Sequence, residues 1–356
     1  MSGSTVEFVN LLLRQVTETD PAAEEEVEEV APACGGANAY DGRMGLRISA
    51  VFVILVGSTF GALFPVIAKQ HPGLKVPDWA FFFTRYFGSG VIIATAFIHL
   101  LTPANEALTN GCLTGPITEY PWAQGIALIS VFSLFFVELL ALRLGKFSAA
   151  GHDHEHGLAG PPATKETSSD AENRIAEADP ESLNTSEEKE MRGKEYAAQL
   201  LSIFILEFGV IFHSIFIGLT LAVSGEEFIT LYIVLVFHQT FEGLGLGSRL
   251  SSVPFPNKWT PCLMGAGYGI STPIAIAVGL GLRTTFEPET QTALIVNGVF
   301  DAISAGILLY TGLVELMAHE FLFGKTLRDE SMGRVLCAFG YMVLGAALMA
   351  LLGKWA

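Results

Sequence analysis

The chain has 356 residues, of which 51% are hydrophobic and only 16% charged, and its mean hydropathy is +0.47. That composition excludes a soluble enzyme and points to a polytopic membrane protein. The formal charge of −16 sits mainly in the N-terminal tail and one long loop, which excludes a basic nucleic-acid-binding surface.

Residues 1–45 form an acidic tail (Glu24, Glu25, Glu26, Glu28, Glu29) without clear periodicity and are expected to be mostly disordered and extracellular. The first twenty residues lack a basic leader followed by a long apolar core, so no cleavable signal peptide is expected and the first span should direct insertion. A spanning helix needs about 20 mostly apolar residues. On that criterion the sequence predicts eight spans: Leu46–Ala68, Phe81–Leu101, Trp122–Leu142, Gln199–Val223, Phe228–Leu246, Met264–Leu282, Leu294–Met317 and Val335–Leu352. A polar stretch over 146–196 separates spans 1–3 (46–145) from spans 4–8 (197–356). The expected fold is therefore all-α, a multi-pass membrane protein with eight transmembrane helices in a 3+5 arrangement.

Basic residues in short loops mark the cytosolic side. Lys69 and Lys75 follow span 1, Arg249 and Lys258 follow span 5, and Lys325, Arg328 and Arg334 follow span 7. The loops after spans 2 and 4 carry Glu106, Glu119, Glu226 and Glu227 and no basic residue, so they and both termini are expected outside. This topology puts Cys34 and Cys112 on the oxidising face, where they could form one disulfide or stand as two unrelated thiols. The loop between spans 3 and 4 opens with GHDHEHG, whose His152, His154 and His156 could converge loosely on a metal in a regulatory or buffering role. Such tracts are also tolerated in solvated loops.

The strongest chemical signal lies inside the spans. LEFGVIFHSIFIGLTLA places His213 and Ser214 near the middle of span 4, and IVLVFHQTFEGLGLG places His238, Gln239 and Glu242 in span 5. An ionisable side chain at bilayer depth costs roughly 2.5 kcal/mol or more, so such residues usually line a polar pathway or bind something there. His238 and Glu242 are four residues apart and point the same way on a helix. The alternative for either imidazole is a hydrogen-bonded histidine in a helix bundle, but two on consecutive spans, one with a carboxylate at the next turn, favour a metal pathway. In span 2, His99 could receive an ion at an outer vestibule or be a simple interfacial histidine. Glu138 and Glu315 are exit-path or interfacial acids, Asp301 and Ser304 read as part of a helix-packing run, and Pro273 reads as a kink.

At these motifs the chain resembles the ZIP (Zrt-, Irt-like protein) family of divalent metal transporters, in particular its fungal and plant zinc and iron branch. The stretches that carry the resemblance are GVIIATAFIHLL, LEFGVIFHSIFIGL, FHQTFEGLGLGSRL and SAGILLYTGLVELMAHEF. It implies that His213, His238 and Glu242 are metal ligands, that Ser214 and Gln239 are auxiliary donors and that His99 helps at the entrance. Members with two adjacent metals carry glutamates where this chain has Ile217 and Thr272, so one transport-site metal is expected. The implied function is import of Zn2+ across the plasma membrane, with Fe2+ or another divalent ion fitting the same ligands, no cofactor, membrane lipid as the surroundings and a homodimer left open. An enzyme is not expected: His319 and Glu320 are followed by Phe323 where a zinc protease needs its second histidine. The competing reading is a membrane metal sensor or receptor that binds the ion without moving it.

Overall fold

The structure is a computed structural model that describes residues 34–35, 38–144, 180–323, 325–328 and 330–355. Eight of its helices are long and apolar enough to cross a membrane. They are α1 Met44–Gln70, α2 Asp78–Leu108, α3 Trp122–Leu144, α4 Pro180–Val223, α5 Phe228–Ser252, α6 Trp259–Leu282, α7 Gln291–Phe323 and α8 Met332–Leu352. Most overrun the expected spans because a helix does not stop where its sequence turns polar. At 27 residues, α1 runs about 40 Å, which covers the hydrocarbon core and both headgroup regions. His152, His154 and His156 lie outside the described residues.

Helix α4 begins inside the polar stretch between spans 3 and 4. Residues 180–196, expected to belong to the loop, are helical and extend α4 back to Pro180. Proline is favoured at the first helical position, and the following SEEKEMRGKEYAAQ is rich in strong helix formers. Only Leu200–Val223 of α4 has spanning character.

In space the helices do not divide three and five. Helix α1 packs mainly on α5 and α6, and α4 packs on α6. Helix α2 packs mainly on α7 and α8, and α3 packs on α7. Each four-helix group thus draws members from both halves of the sequence. Small residues permit this, since lipid supplies no hydrophobic drive between helices and association depends on close backbone approach. A Cβ at Gly247 of α5 would stand 2.2 Å from the Ala62 carbonyl oxygen of α1, and one at Gly345 of α8 would stand 2.1 Å from the Phe87 carbonyl oxygen of α2. Large side chains point outward instead: Phe52, Val56 and Phe60 on α1 and Leu128, Phe132 and Phe136 on α3 are each more than half exposed, forming stripes for lipid to cover.

A disulfide joins Cys34, ahead of α1, to Cys112, after α2. At this same end the buried guanidinium of Arg47 donates to the carbonyls of Leu221 (3.0 Å), Ala222 (3.1 Å) and Ser224 (2.5 Å), satisfying acceptors that the end of α4 would otherwise leave open. It also donates to Asp41 at 2.8 Å and holds that carboxyl below its ordinary range. Lys354 and Trp355, past α8, share a cavity with Glu106 and Glu227, so both ends of the described chain lie at the disulfide end of the bundle.

Candidate functional site

Helix α5 carries His238 and Glu242 one turn apart and fully buried, with His238 Nε2 3.9 Å from Glu242 Oε2. Helix α4 brings His213, 2% exposed, alongside them. One donor atom from each of His213, His238 and Glu242 lies within 4.8 Å of the others. Among the described residues, neither ring nitrogen of either histidine has a hydrogen-bonding partner, and nor does Glu242 Oε1. Buried polar atoms are ordinarily satisfied, so this convergence of open lone pairs suits a ligand that supplies what the protein does not. Nitrogen and carboxylate donors in this number suit zinc and other borderline divalent ions.

Neighbouring residues fix the site. The Tyr268 hydroxyl of α6 donates to the Gln239 carbonyl at 2.7 Å and lies 3.4 Å from Glu242 Oε2. Nothing in the sequence pattern marks Tyr268, because an aromatic in an apolar helix reads as core. A Cβ at Gly218 would stand 2.8 Å from the Thr272 carbonyl oxygen, so the glycine lets α4 seat against α6 near Pro273. Ser214 and Gln239 are fully buried beside the two histidines, and their side-chain polar atoms are likewise unpartnered among the described residues.

The second helix group closes the site from the other side. Helix α2 opens into π-helical turns over Thr95–Leu101, a distortion that re-aims side chains and is frequent at functional sites. There the His99 ring lies 4.5 Å from that of His238, centroid to centroid, so His99 adjoins the cluster itself, deeper than an entrance position. Its Nε2 is 2.9 Å from the Met349 carbonyl oxygen; a carbonyl only accepts, so Nε2 carries the proton and Nδ1 keeps a lone pair. Asp301 of α7, read from sequence as part of a packing run, lies with Oδ1 3.7 Å from His213 Nδ1 and unpartnered among the described residues. The available signal was the carboxylate itself at bilayer depth, with Asn297 one turn earlier. A cavity of about 730 Å³, lined by His99, His213, His238 and Asp301 at its base, reaches Glu106 and Glu227 at the disulfide end.

Toward the opposite end charged pairs cross between the groups. Arg249 of α5 meets Glu315 at 3.4 Å and Glu320 at 3.8 Å, both on α7; within the second group, Arg85 of α2 also pairs with Glu320. The cavity beside them is about 10 Å³, room for about one water. Beyond it a cavity of about 280 Å³ is lined by Lys69, Arg85, Ser252 and Arg334. Glu315 is therefore the partner of Arg249, and Glu138 accepts a hydrogen bond from the Tyr310 hydroxyl.

Comparison with known proteins shows the family. A family model described as ZIP Zinc transporter matches residues 44–353. The chain belongs to the ZIP family. Among its relatives, Zinc-regulated transporter 1 of Saccharomyces cerevisiae is 43% identical over 90% of each chain, and Zinc-regulated transporter 2 of the same yeast is 40% identical over 92% of this chain and 98% of that one. Fe(2+) transport protein 2 of Oryza sativa subsp. japonica is 30% identical over 99% and 97%. In this ZIP protein Ile217 lines the cavity and Thr272 is fully buried, so neither position carries a carboxylate.

Proposed function

We propose that this ZIP protein imports Zn2+ across the plasma membrane into the cytosol, through a single-ion site made by His213, His238 and Glu242. The observation that carries this reading is the convergence of three buried, unpartnered donors, two of which, His213 and His238, line the base of a cavity that carries acids toward one end of the bundle. Basic residues concentrate at the opposite end, which supports taking the disulfide end as the outer one. Glu106 and Glu227 raise the local cation concentration there, and the ion exchanges water for imidazole and carboxylate at the base.

In this conformation His213 and His238 face the outer cavity while the pairs of Arg249 with Glu315 and Glu320 hold the two helix groups together on the cytosolic side. Release requires those pairs to part and the groups to shift, an alternating-access step around a midplane site. The names of the yeast relatives support zinc and that of the rice relative supports Fe2+; ligand type alone accommodates both.

The test is 65Zn uptake in a zinc-uptake-deficient yeast strain, with surface expression measured for each variant. Saturable uptake that is lost in His213→Ala and Glu242→Ala, and only modulated by joint alanine replacement of His152, His154 and His156, establishes transport through this site. Binding to purified protein without accumulation in vesicles would establish a sensor instead.

A further inference from the structure

We infer that Asp301, supplied by the second helix group, becomes a further ligand to the transported cation when the ion enters from this cavity. The assignment rests on the transport site proposed above and extends it from one helix group to both.

Three observations point to it. First, the spacing: Asp301 Oδ1 and His213 Nδ1 are 3.7 Å apart, too long for a hydrogen bond. Two donors bound about 2.1 Å from one tetrahedral ion stand roughly 3.4 Å apart, so Asp301 and His213 are near co-ligand spacing. The donors within 4.8 Å of one another are His213, His238 and Glu242, so an ion shared with them draws the Asp301 side chain inward. Second, the aim: Asp301 lines the same cavity as His99, His213 and His238, and its buried Oδ1 has no other partner among the described residues. Third, the charge: a divalent cation held by two neutral imidazoles and the single carboxylate of Glu242 keeps a net charge of about +1 at bilayer depth. A second carboxylate makes the assembly neutral, which removes most of the cost of holding an ion in a medium of low dielectric.

The identity of the lender matters as much as its charge. His213, His238 and Glu242 all belong to the α1, α4, α5, α6 group, whereas Asp301 belongs to α7. An ion bound by both groups ties them together on the outer side and must give up Asp301 before the groups can shift. Asp301 therefore contributes to capture from the outer cavity.

The alternative role for an aspartate beside a histidine is to orient the imidazole through a hydrogen bond, leaving the metal to the other ring nitrogen. The two roles separate experimentally. In 65Zn uptake at matched surface expression, Asp301→Asn keeps the shape and an acceptor oxygen but loses the charge. It is expected to raise KM about tenfold, equivalent to about 1.4 kcal/mol, while Asp301→Glu recovers part of that loss. Asp301→Cys places a soft thiolate at the ion, and inhibition of 65Zn uptake by Cd2+ is expected to strengthen about tenfold relative to the unaltered protein. Asp301→Asn with unchanged KM, or Asp301→Cys with reduced uptake and unchanged Cd2+ inhibition, would overturn the assignment, the latter leaving an orienting residue. His213→Ala runs alongside: if it abolishes uptake while Asp301→Asn does nothing, only the role of Asp301 falls. Uptake that survives His213→Ala removes the site itself and the assignment with it.

Discussion

The two four-helix groups carry different chemistry at similar depth. The α1, α4, α5, α6 group presents His213, His238 and Glu242 from helices that pack through glycine, with Tyr268 holding Glu242 in place. The α2, α3, α7, α8 group faces them with His99 and Asp301 and, further along, with the acids that pair Arg249. One group holds a three-donor cluster by itself; the other brings His99 and Asp301 up to it from across the seam. The difference teaches that the core of the donor set is local to one group, whereas its completion and access to it are properties of the seam between them.

The sharpest way to break that contrast is inside the cluster. Glu242→Ala is expected to lower uptake more than a hundredfold, because it removes the sole carboxylate of the three-donor set; 65Zn flux at matched surface expression measures it. At the seam, Arg249→Gln leaves Glu315 without its cation and Glu320 with Arg85 alone, and breaking a buried pair costs roughly 3–5 kcal/mol. The expected outcome is a bundle that opens toward the basic end. A reporter cysteine at Ser248, 3% exposed beside Arg249, in a chain with Cys262 and Cys337 replaced, should label from that side about tenfold faster than with Arg249 present.

Protonation offers a third probe. Metal ligation competes with protonation of imidazoles whose ordinary pKa is about 6.5, so uptake should fall severalfold from pH 7 to pH 5. The Asp41–Arg47 pair does not confound this. Its carboxyl titrates below the ordinary value of about 3.9, so its contribution is fully present above that value and is lost only as pH falls through the lower folded value. Uptake unchanged between pH 7 and pH 5 would count against imidazole ligation.

The smallest expected effect concerns packing. Gly247→Ala must push apart α1 and α5 and is expected to cost roughly 1–3 kcal/mol, read as a lowered unfolding temperature in detergent. Gly340→Ala on α8, whose Cβ would meet nothing within 4 Å, should be neutral or stabilise by up to about 1 kcal/mol.

The spans and the core of the site are legible in the amino-acid sequence alone. Long apolar runs give eight spans because a bilayer demands that backbone groups be satisfied within each helix, a local requirement that local sequence meets. His213, His238 and Glu242 stand out for a related reason, since charge-capable groups are rare at that depth and the four-residue spacing of His238 and Glu242 sets them on one face. Composition and spacing thus determined the class of protein and marked the donors that converge. What the tertiary structure alone decided was which helices meet. The chain divides three and five in order but four and four in space, so Asp301, read as packing, faces His213, and Glu315, read as an exit or interfacial acid, partners Arg249. Tyr268 and Arg47 likewise acquire their roles only from neighbours distant in sequence. Helix formation is settled within a few turns of chain, whereas helix pairing depends on where small residues on separate helices come into register, and no local pattern encodes that.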